Sequence, residues 1–244
     1  MILVRNTQNT EALLTTMTLF GYRFFERFWA FAQMGFAPAK LRRVDGLRFW
    51  KLLGSGHGSG FSLRPNFSRY GLLAVWESPD AADVFFAKSS LIQEYRHHAE
   101  EIWTVRLLPI QAHGSWSGVN PFQRMIVSPP ADGPIAVLTR ATLRWRRLLA
   151  FWSAVPSTSR ALDGANGLIA SIGVGDAPFF RQATFSLWRS EAEMKTFAYG
   201  ALQHRKAVRR TRDEDWYAED LFARFVPLAS EGTWNGRDPL TGLL

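Results

Sequence analysis

The chain of 244 residues contains no cysteine, which removes disulfides, thiolate nucleophiles, zinc–thiolate and iron–sulfur sites, and thiolate-ligated haem. Any metal must be held by His, carboxylate or Tyr. Long apolar runs are scarce too: Phe28 to Ala39 is too short to span a bilayer, and Leu107 to Gln123 is broken by Pro109, Gly114, Gly118 and Pro121. Near the start, Arg5, Glu11 and the polar residues Asn6 to Thr10 stand where an export signal needs a continuous apolar core. The expectation is a soluble protein or one that sits on a membrane surface. At 47% hydrophobic and 20% charged, the composition is that of a globular protein, not a disordered or fibrous one.

Basic residues and aromatics are plentiful. Lys and Arg exceed Asp and Glu by 29 to 21, a net charge of +8 that divides equally about Phe122 and so is not a tail. Such a balance suits an anionic partner: nucleic acid, a phospholipid surface, or the carboxylates of a cofactor or acidic redox protein. The 19 Phe, 10 Trp and 5 Tyr suit a thick core or a large apolar ligand.

The two halves repeat. LLAVW at 72–76 and TFSLW at 184–188 are alternating, strand-like segments, each followed by a polar turn and a helical stretch, ESPDAADVFFAKS or RSEAEMKTFAYGA, with an acidic capping pattern. Strand-like IWTVRLLPI (102–110) and LFARFVPL (221–228) follow, then HGSWSGVNPF and EGTWNGRDPL, which share Gly-x-Trp-x-Gly-x-x-Pro. Upstream, FERFWAFAQMG and RRLLAFWSAVP read as amphipathic helices after an initial strand, and strands open after Gly46 and Gly167. Each half is thus β-α-β-β-α-β, the ferredoxin-like order, whose helices leave one sheet face bare for a partner. The fold expected is α+β: two fused ferredoxin-like repeats, 13–122 and 134–240, joined by a linker at 123–133 and forming a pseudo-symmetric barrel of the dimeric α+β type. Thirty positions separate Gly46 from Trp76 and 21 separate Gly167 from Trp188, the excess falling in a Gly-rich loop at 54–66. No phosphate-binding Gly-x-x-x-x-Gly-Lys signature accompanies it, and its composition suits a mobile loop over a ligand mouth.

Five histidines remain for metal or acid–base chemistry. On a helix, His204 has Gly200, Ala201, Ala207, Val208 and Thr211 as neighbours, with Arg205, Lys206, Arg209 and Arg210 directed elsewhere. Small residues leave room beside an imidazole for a flat macrocycle, and a basic cluster suits its propionates; a structural His beside a solvated basic face gives the same pattern. His97 and His98 sit among Gln93, Glu94, Glu100 and Glu101, without the second His that a helical metal site needs. His57 lies alone in the Gly-rich loop, and His113 matches Glu231 of the other repeat. Hydrolase and deaminase signatures are missing. Arg205 to Arg212 with Trp216 and Tyr217 lacks an RNP1-type pattern, and a sheet face buried in a fused barrel is closed to RNA, so no nucleic-acid partner is expected.

The strings DGLRFWKLLGSGHGSGFSLRPN (45–66), LLAVWESPDAA (72–82), QAHGSWSGVNPF (111–122), PIAVLTRATLR (134–144) and DEDWYAEDLFARF (213–225) together resemble the spheroidene monooxygenase family, the acyclic carotenoid ketolases of purple phototrophic bacteria. The resemblance runs over nearly the whole chain. It implies a haem-dependent enzyme that uses O2 and reduced ferredoxin to oxidise C-2 of carotenoids such as spheroidene to a ketone. It also implies His204 as axial iron ligand, Arg205, Arg209 and Arg210 as propionate partners, one haem per chain, and contact with an anionic membrane that dissolves the substrate. Part of the aromatic excess would then line a polyene channel. A non-catalytic haem- or carotenoid-binding barrel, or a cofactor-free monooxygenase of the same fold, is the alternative, and association into a homo-oligomer stays open.

Overall fold

The computed structural model describes residues 13–122, 133–200, 211 and 213–244. The first repeat comprises β1 (Leu14–Gly21), α1 (Arg27–Leu41), β2 (Leu47–Gly56), β3 (Pro65–Trp76), α2 (Pro79–Lys88), α3 (Ser90–His98) and β4 (Glu101–Gly114). The second comprises β5 (Ile135–Leu143), α4 (Leu148–Asp163), β6 (Leu168–Ala177), β7 (Arg181–Trp188), α5 (Glu191–Gly200) and β8 (Tyr217–Gly232). All eight strands close one barrel in the order β1-β3-β2-β6-β7-β5-β8-β4, with every neighbouring pair antiparallel. The α+β fold and the pseudo-symmetric barrel follow the expectation from the repeat.

Strand alternation gives each strand an inner and an outer face. Inner residues of all eight strands, among them Met17, Leu53, Leu73, Val105, Leu138, Ile172, Phe185 and Phe225, make one core, into which Trp103, Trp116 and Trp234 also pack. These aromatics pack into the interior. On the outside, helices cap their sheet. Ser78 accepts the Ala81 N–H at 3.2 Å at the start of α2, and Ser190 accepts the Glu193 N–H at 3.2 Å at the start of α5. Trp76 and Trp188, equivalent strand-end residues, are buried, their indole N–H groups donating to Thr16 (3.0 Å) and Ser186 (2.9 Å).

Two seams join the repeats. One, between β2 and β6, pairs only Gly54 with Gly175 and Ser55 with Val174. Here the Gly-rich loop is pinned to the second repeat rather than free over a mouth: Ser171 donates to the Ser59 carbonyl at 2.6 Å, Ser59 bonds the Asp163 carboxylate, and the Phe61 ring meets Phe151 at 5.4 Å. The other seam, between β4 and β8, runs from Trp103↔Gly232 to Gly114↔Leu221. At each end a strand leaves into a Gly-x-Trp-x-Gly turn under the same constraint. Gly114 has φ +84° and an added Cβ would lie 2.2 Å from the Asp220 carbonyl oxygen; Gly232 has φ +82° and would lie 2.0 Å from that of Ile102. The next N–H in each turn donates to that same carbonyl, Ser115 to Asp220 at 2.7 Å and Thr233 to Ile102 at 2.9 Å. Only glycine fits both the left-handed backbone and the close approach.

Gly114→Ala and Gly232→Ala are therefore expected to lose roughly 2–4 kcal/mol each, from strain plus displaced backbone. Gly118→Ala, with φ +80° but nothing within 4 Å, is expected to lose only about 1 kcal/mol. Urea unfolding of the three variants checks the order.

Candidate functional site

Each Trp turn is clasped by a carboxylate of the opposite repeat. Glu101 accepts from the Gly236 N–H at 2.7 Å and from Arg69 at 2.9 Å. Equivalently, Glu219 accepts from the Gly118 N–H at 2.7 Å, from the Ser115 hydroxyl at 2.9 Å and from Arg140. The two clasps differ in their cation. Arg140 occupies an inner position of β5, where the register of the first repeat places Leu19, and its guanidinium lies 5.5 Å from the Trp116 ring centroid. Arg181 turns instead to Asp176 at 3.8 Å. Asp176 also accepts from the Trp116 indole at 3.2 Å and faces Lys51 at 3.6 Å. Burial alone would raise the Glu219 carboxyl; the hydrogen bonds from Gly118, Ser115 and Arg140 outweigh it and hold the group down to about 2. This charged cluster is a brace that fixes Trp116 against one mouth of the barrel.

A second contrast lies on the outer sheet faces. The register aligns Leu72, Thr18, Thr104 and Glu231 across β3, β1, β4 and β8. The equivalent row in the second repeat is Thr184, Thr139, Phe222 and His113, across β7, β5, β8 and β4. In the first repeat Leu72, Thr18 and Thr104 are at most 4% exposed, the two threonine hydroxyls hydrogen-bond at 3.1 Å, and one continuous apolar cluster under α1, α2 and α3 covers the sheet. A cavity of about 250 Å³ remains there, bounded by Thr18, Thr104, Phe86, Ile92 and Glu231. That is below the usual size of a site for a drug-sized ligand.

In the second repeat the outer core of the described residues forms two clusters. Ile135, Val137, Trp188 and Met194 form one cluster toward the start of β5; Leu143, Phe151, Val155 and Trp216 form another at its end. Between them Thr139 is exposed although its strand is flanked by β7 and β8, and Thr184 and Phe222 are half-buried. Phe222 is stacked on one side by His113, with centroids 5.3 Å apart, and carries the Arg224 guanidinium at 5.2 Å. Arg224 donates to Glu191 at 2.9 Å, while its Nε is buried without a hydrogen-bond partner among the described residues. The open row is a shallow floor of small side chains with aromatic walls and an under-satisfied cation at its edge.

The histidines divide accordingly. His98 hydrogen-bonds Glu26 at 2.7 Å and stacks on Trp29 at 4.0 Å; His97 and His57 are exposed. His113 is at the row's edge. Among the described residues no group of three or more His, Asp or Glu is placed to hold a metal. His204, Arg205, Arg209 and Arg210 lie outside the described residues, as does nearly all of the 123–133 linker. In sequence, the segment between α5 and β8 that carries His204 takes the place that α3 takes in the first repeat, where α3 helps cover the row.

No protein-family model matches the chain, but relatives do. It is 40% identical over 214 residues to spheroidene monooxygenase of Rhodobacter capsulatus, covering 87% of this chain and 88% of the relative. The enzyme of the same name from Rubrivivax gelatinosus is also 40% identical, over 86% and 80% of the two chains. The chain belongs to the spheroidene monooxygenase family. The same name is carried by a relative from Cereibacter sphaeroides, 38% identical over 92% of this chain and 70% of that one. Among solved structures, two of aldoxime dehydratase superpose with TM-score 0.57 at 12% and 13% identity, covering 88% and 93% of this chain and 81% and 83% of theirs. Those matches establish the shared barrel fold alone.

Sequence reasoning missed the Arg140–Glu219 brace and the open row. Arg140 had a signal: it shares its strand parity with Ala136 and Leu138, so an alternating strand sends it inward. The row had none, since it exists only through pairing register. For the brace, Glu219→Gln is expected to destabilise the protein by about 3 kcal/mol at neutral pH, by leaving Arg140 buried and unpaired. Because the folded-state pKa is depressed, the stabilisation from Glu219 is complete above the ordinary value of 4.5 and is lost as pH falls toward about 2. The gap between wild type and variant in urea unfolding should therefore close over that window.

Proposed function

We propose that the chain is a haem-dependent monooxygenase that oxidises C-2 of an acyclic carotenoid such as spheroidene to a ketone, drawing electrons from reduced ferredoxin. Family membership supports the carotenoid and the reaction class. The observation that supports the site is the row Thr184–Thr139–Phe222–His113, whose equivalent is covered in the first repeat while Thr139 is exposed among the described residues. Haem bound there would supply the reductive activation of O2 that attack on an allylic CH2 requires.

The residues present fit a flat, dianionic ring. Thr139 and Thr184 keep the floor low, the stacked Phe222 and His113 form a wall, and the two flanking apolar clusters limit water. Arg224, whose buried Nε has no hydrogen-bond partner among the described residues, lies at the row's edge, and Arg205, Arg209 and Arg210 are the proposed cations for propionates. His204 is the proposed iron ligand. For the substrate, two hydroxylations at one carbon give a geminal diol that loses water to leave the ketone. Each hydroxylation uses one O2, two electrons from ferredoxin and two protons, and releases one water. The chain's own part is to place the polyene end and keep solvent out. Anionic membrane is the proposed source of the substrate.

Haemin added to the purified chain is expected to give a Soret band that persists in His113→Ala and is lost in His204→Ala. Thr139→Trp, which fills the row, is expected to weaken haemin binding at least tenfold while the thermal transition stays within a few degrees of wild type. Cells that accumulate spheroidene should form the red-shifted ketone under air with wild type and not with Thr139→Trp. A Soret band unaltered by both His204→Ala and Thr139→Trp would overturn the site.

A further inference from the structure

No helix among the described residues is long and apolar enough to cross a membrane, yet one helix face is unusually greasy. Along α1 and the helical turn before it, Phe24, Phe28, Phe31 and Gly35 recur at spacings of four, three and four, forming one stripe. Phe25 and Phe36 lie beside it. The opposite face of α1 buries Ala30, Gln33, Ala37 and Leu41. The aromatic stripe is therefore not core: Phe24 is 62% exposed, Phe25 86%, Phe28 78%, Phe31 60% and Phe36 69%. It is continuous with the neighbouring strand, because the Phe31 ring meets Phe67 of β3, itself exposed, at 6.2 Å.

Cations frame this surface. Arg27 lies over the Phe24 ring at 5.3 Å, exposed Arg42 and Arg43 continue the stripe past the end of α1, and exposed Arg64 sits three residues before Phe67. None of Arg42, Arg43 and Arg64 makes an ion pair among the described residues. Glu26, next to Arg27 in sequence, is turned to His98. Phenylalanines ringed by unpaired arginines, on a chain of net charge +8, match the two layers of an anionic bilayer surface: acyl chains for the rings, phosphates for the guanidinium groups.

We propose that α1, with Phe67 and the flanking arginines, is the docking face for an anionic phospholipid bilayer. This deepens the membrane part of the proposed function, giving it a location and an orientation. β1 and β5 are five steps apart around the antiparallel barrel, so they run oppositely and α1 and α4 begin at opposite mouths. The exposed Trp145 and Leu149 at the start of α4 therefore cannot lie on the same flat surface as Phe24 and Phe28. The bilayer takes the exposed face of α1, where the aromatics are more numerous.

Sedimentation of the full chain with phosphatidylcholine vesicles containing about a quarter phosphatidylglycerol tests this directly. Wild type is expected to bind them and to bind pure phosphatidylcholine much less. Phe28→Ser/Phe31→Ser is expected to reduce binding at least tenfold, and Arg42→Gln/Arg43→Gln to remove most of the preference for phosphatidylglycerol. Trp145→Ser/Leu149→Ser at the other mouth is expected to bind as wild type. Because these side chains are exposed, all variants should keep the wild-type thermal transition. In detergent-solubilised spheroidene, Phe28→Ser/Phe31→Ser should retain activity, so loss of docking and loss of the enzymatic reading are separate results. Unchanged vesicle binding in Phe28→Ser/Phe31→Ser would overturn the proposal. So would a lipid-free dimer that the same substitutions dissociate, with no vesicle binding, which would make the face a contact between copies.

Discussion

The seam between β4 and β8 is the constraint on which the rest depends. A ferredoxin-like repeat buries only one side of its sheet, and its bare side needs a second sheet to close against. Here the two repeats meet edge to edge along that seam, and at each end a glycine in left-handed backbone lets one strand pass against a carbonyl of the other. Those crossings launch the turns that carry Trp116 and Trp234 inward, and each turn is held by a carboxylate of the opposite repeat, Glu219 or Glu101. Closing the barrel and filling it are thus one event, and neither repeat completes its own core.

Duplication fixes the frame and frees one copy to diverge. Inside the barrel the divergence is Leu19 against Arg140, which exchanges an apolar contact for a buried cation that braces Trp116. Outside, it is the row Leu72–Thr18–Thr104 against Thr184–Thr139–Phe222. In the first repeat three helices cover the row and leave a cavity too small for a macrocycle. In the second the described apolar contacts fall into two groups, and Thr139 between them is exposed. One repeat is covered by its three helices, and the other, among the described residues, leaves Thr139 exposed.

Much of the fold was legible because the sequence says it twice. The paired Trp-ended strands, the capped helices after Ser78 and Ser190, and the duplicated Gly-x-Trp-x-Gly turn each carry a local physical signal, and agreement between two copies turns weak signals into a topology. The Gly-rich loop misled, since glycine content suggested freedom while Ser59 and Phe61 anchor it to the second repeat. Of the aromatics, Trp103, Trp116, Trp234, Phe185 and Phe225 pack inside the barrel, while Phe28, Phe31 and Phe36 lie on the exposed face of α1. For the site, sequence picks out His204 by its small neighbours, but the floor it would face depends on which residues align across four strands. Register of that kind arises from bulges and turns far from the row, and no local pattern encodes it.

Iron anomalous scattering from crystals of the haemin-loaded protein addresses the site most directly. The expected result is a single iron peak per chain above the outer face of β5, over Thr139 and beside Phe222, with His204 as its protein ligand. An iron peak in the first repeat's cavity between Thr18 and Ile92, or one inside the barrel among Trp103, Trp116 and Trp234, would contradict the assignment of the open row.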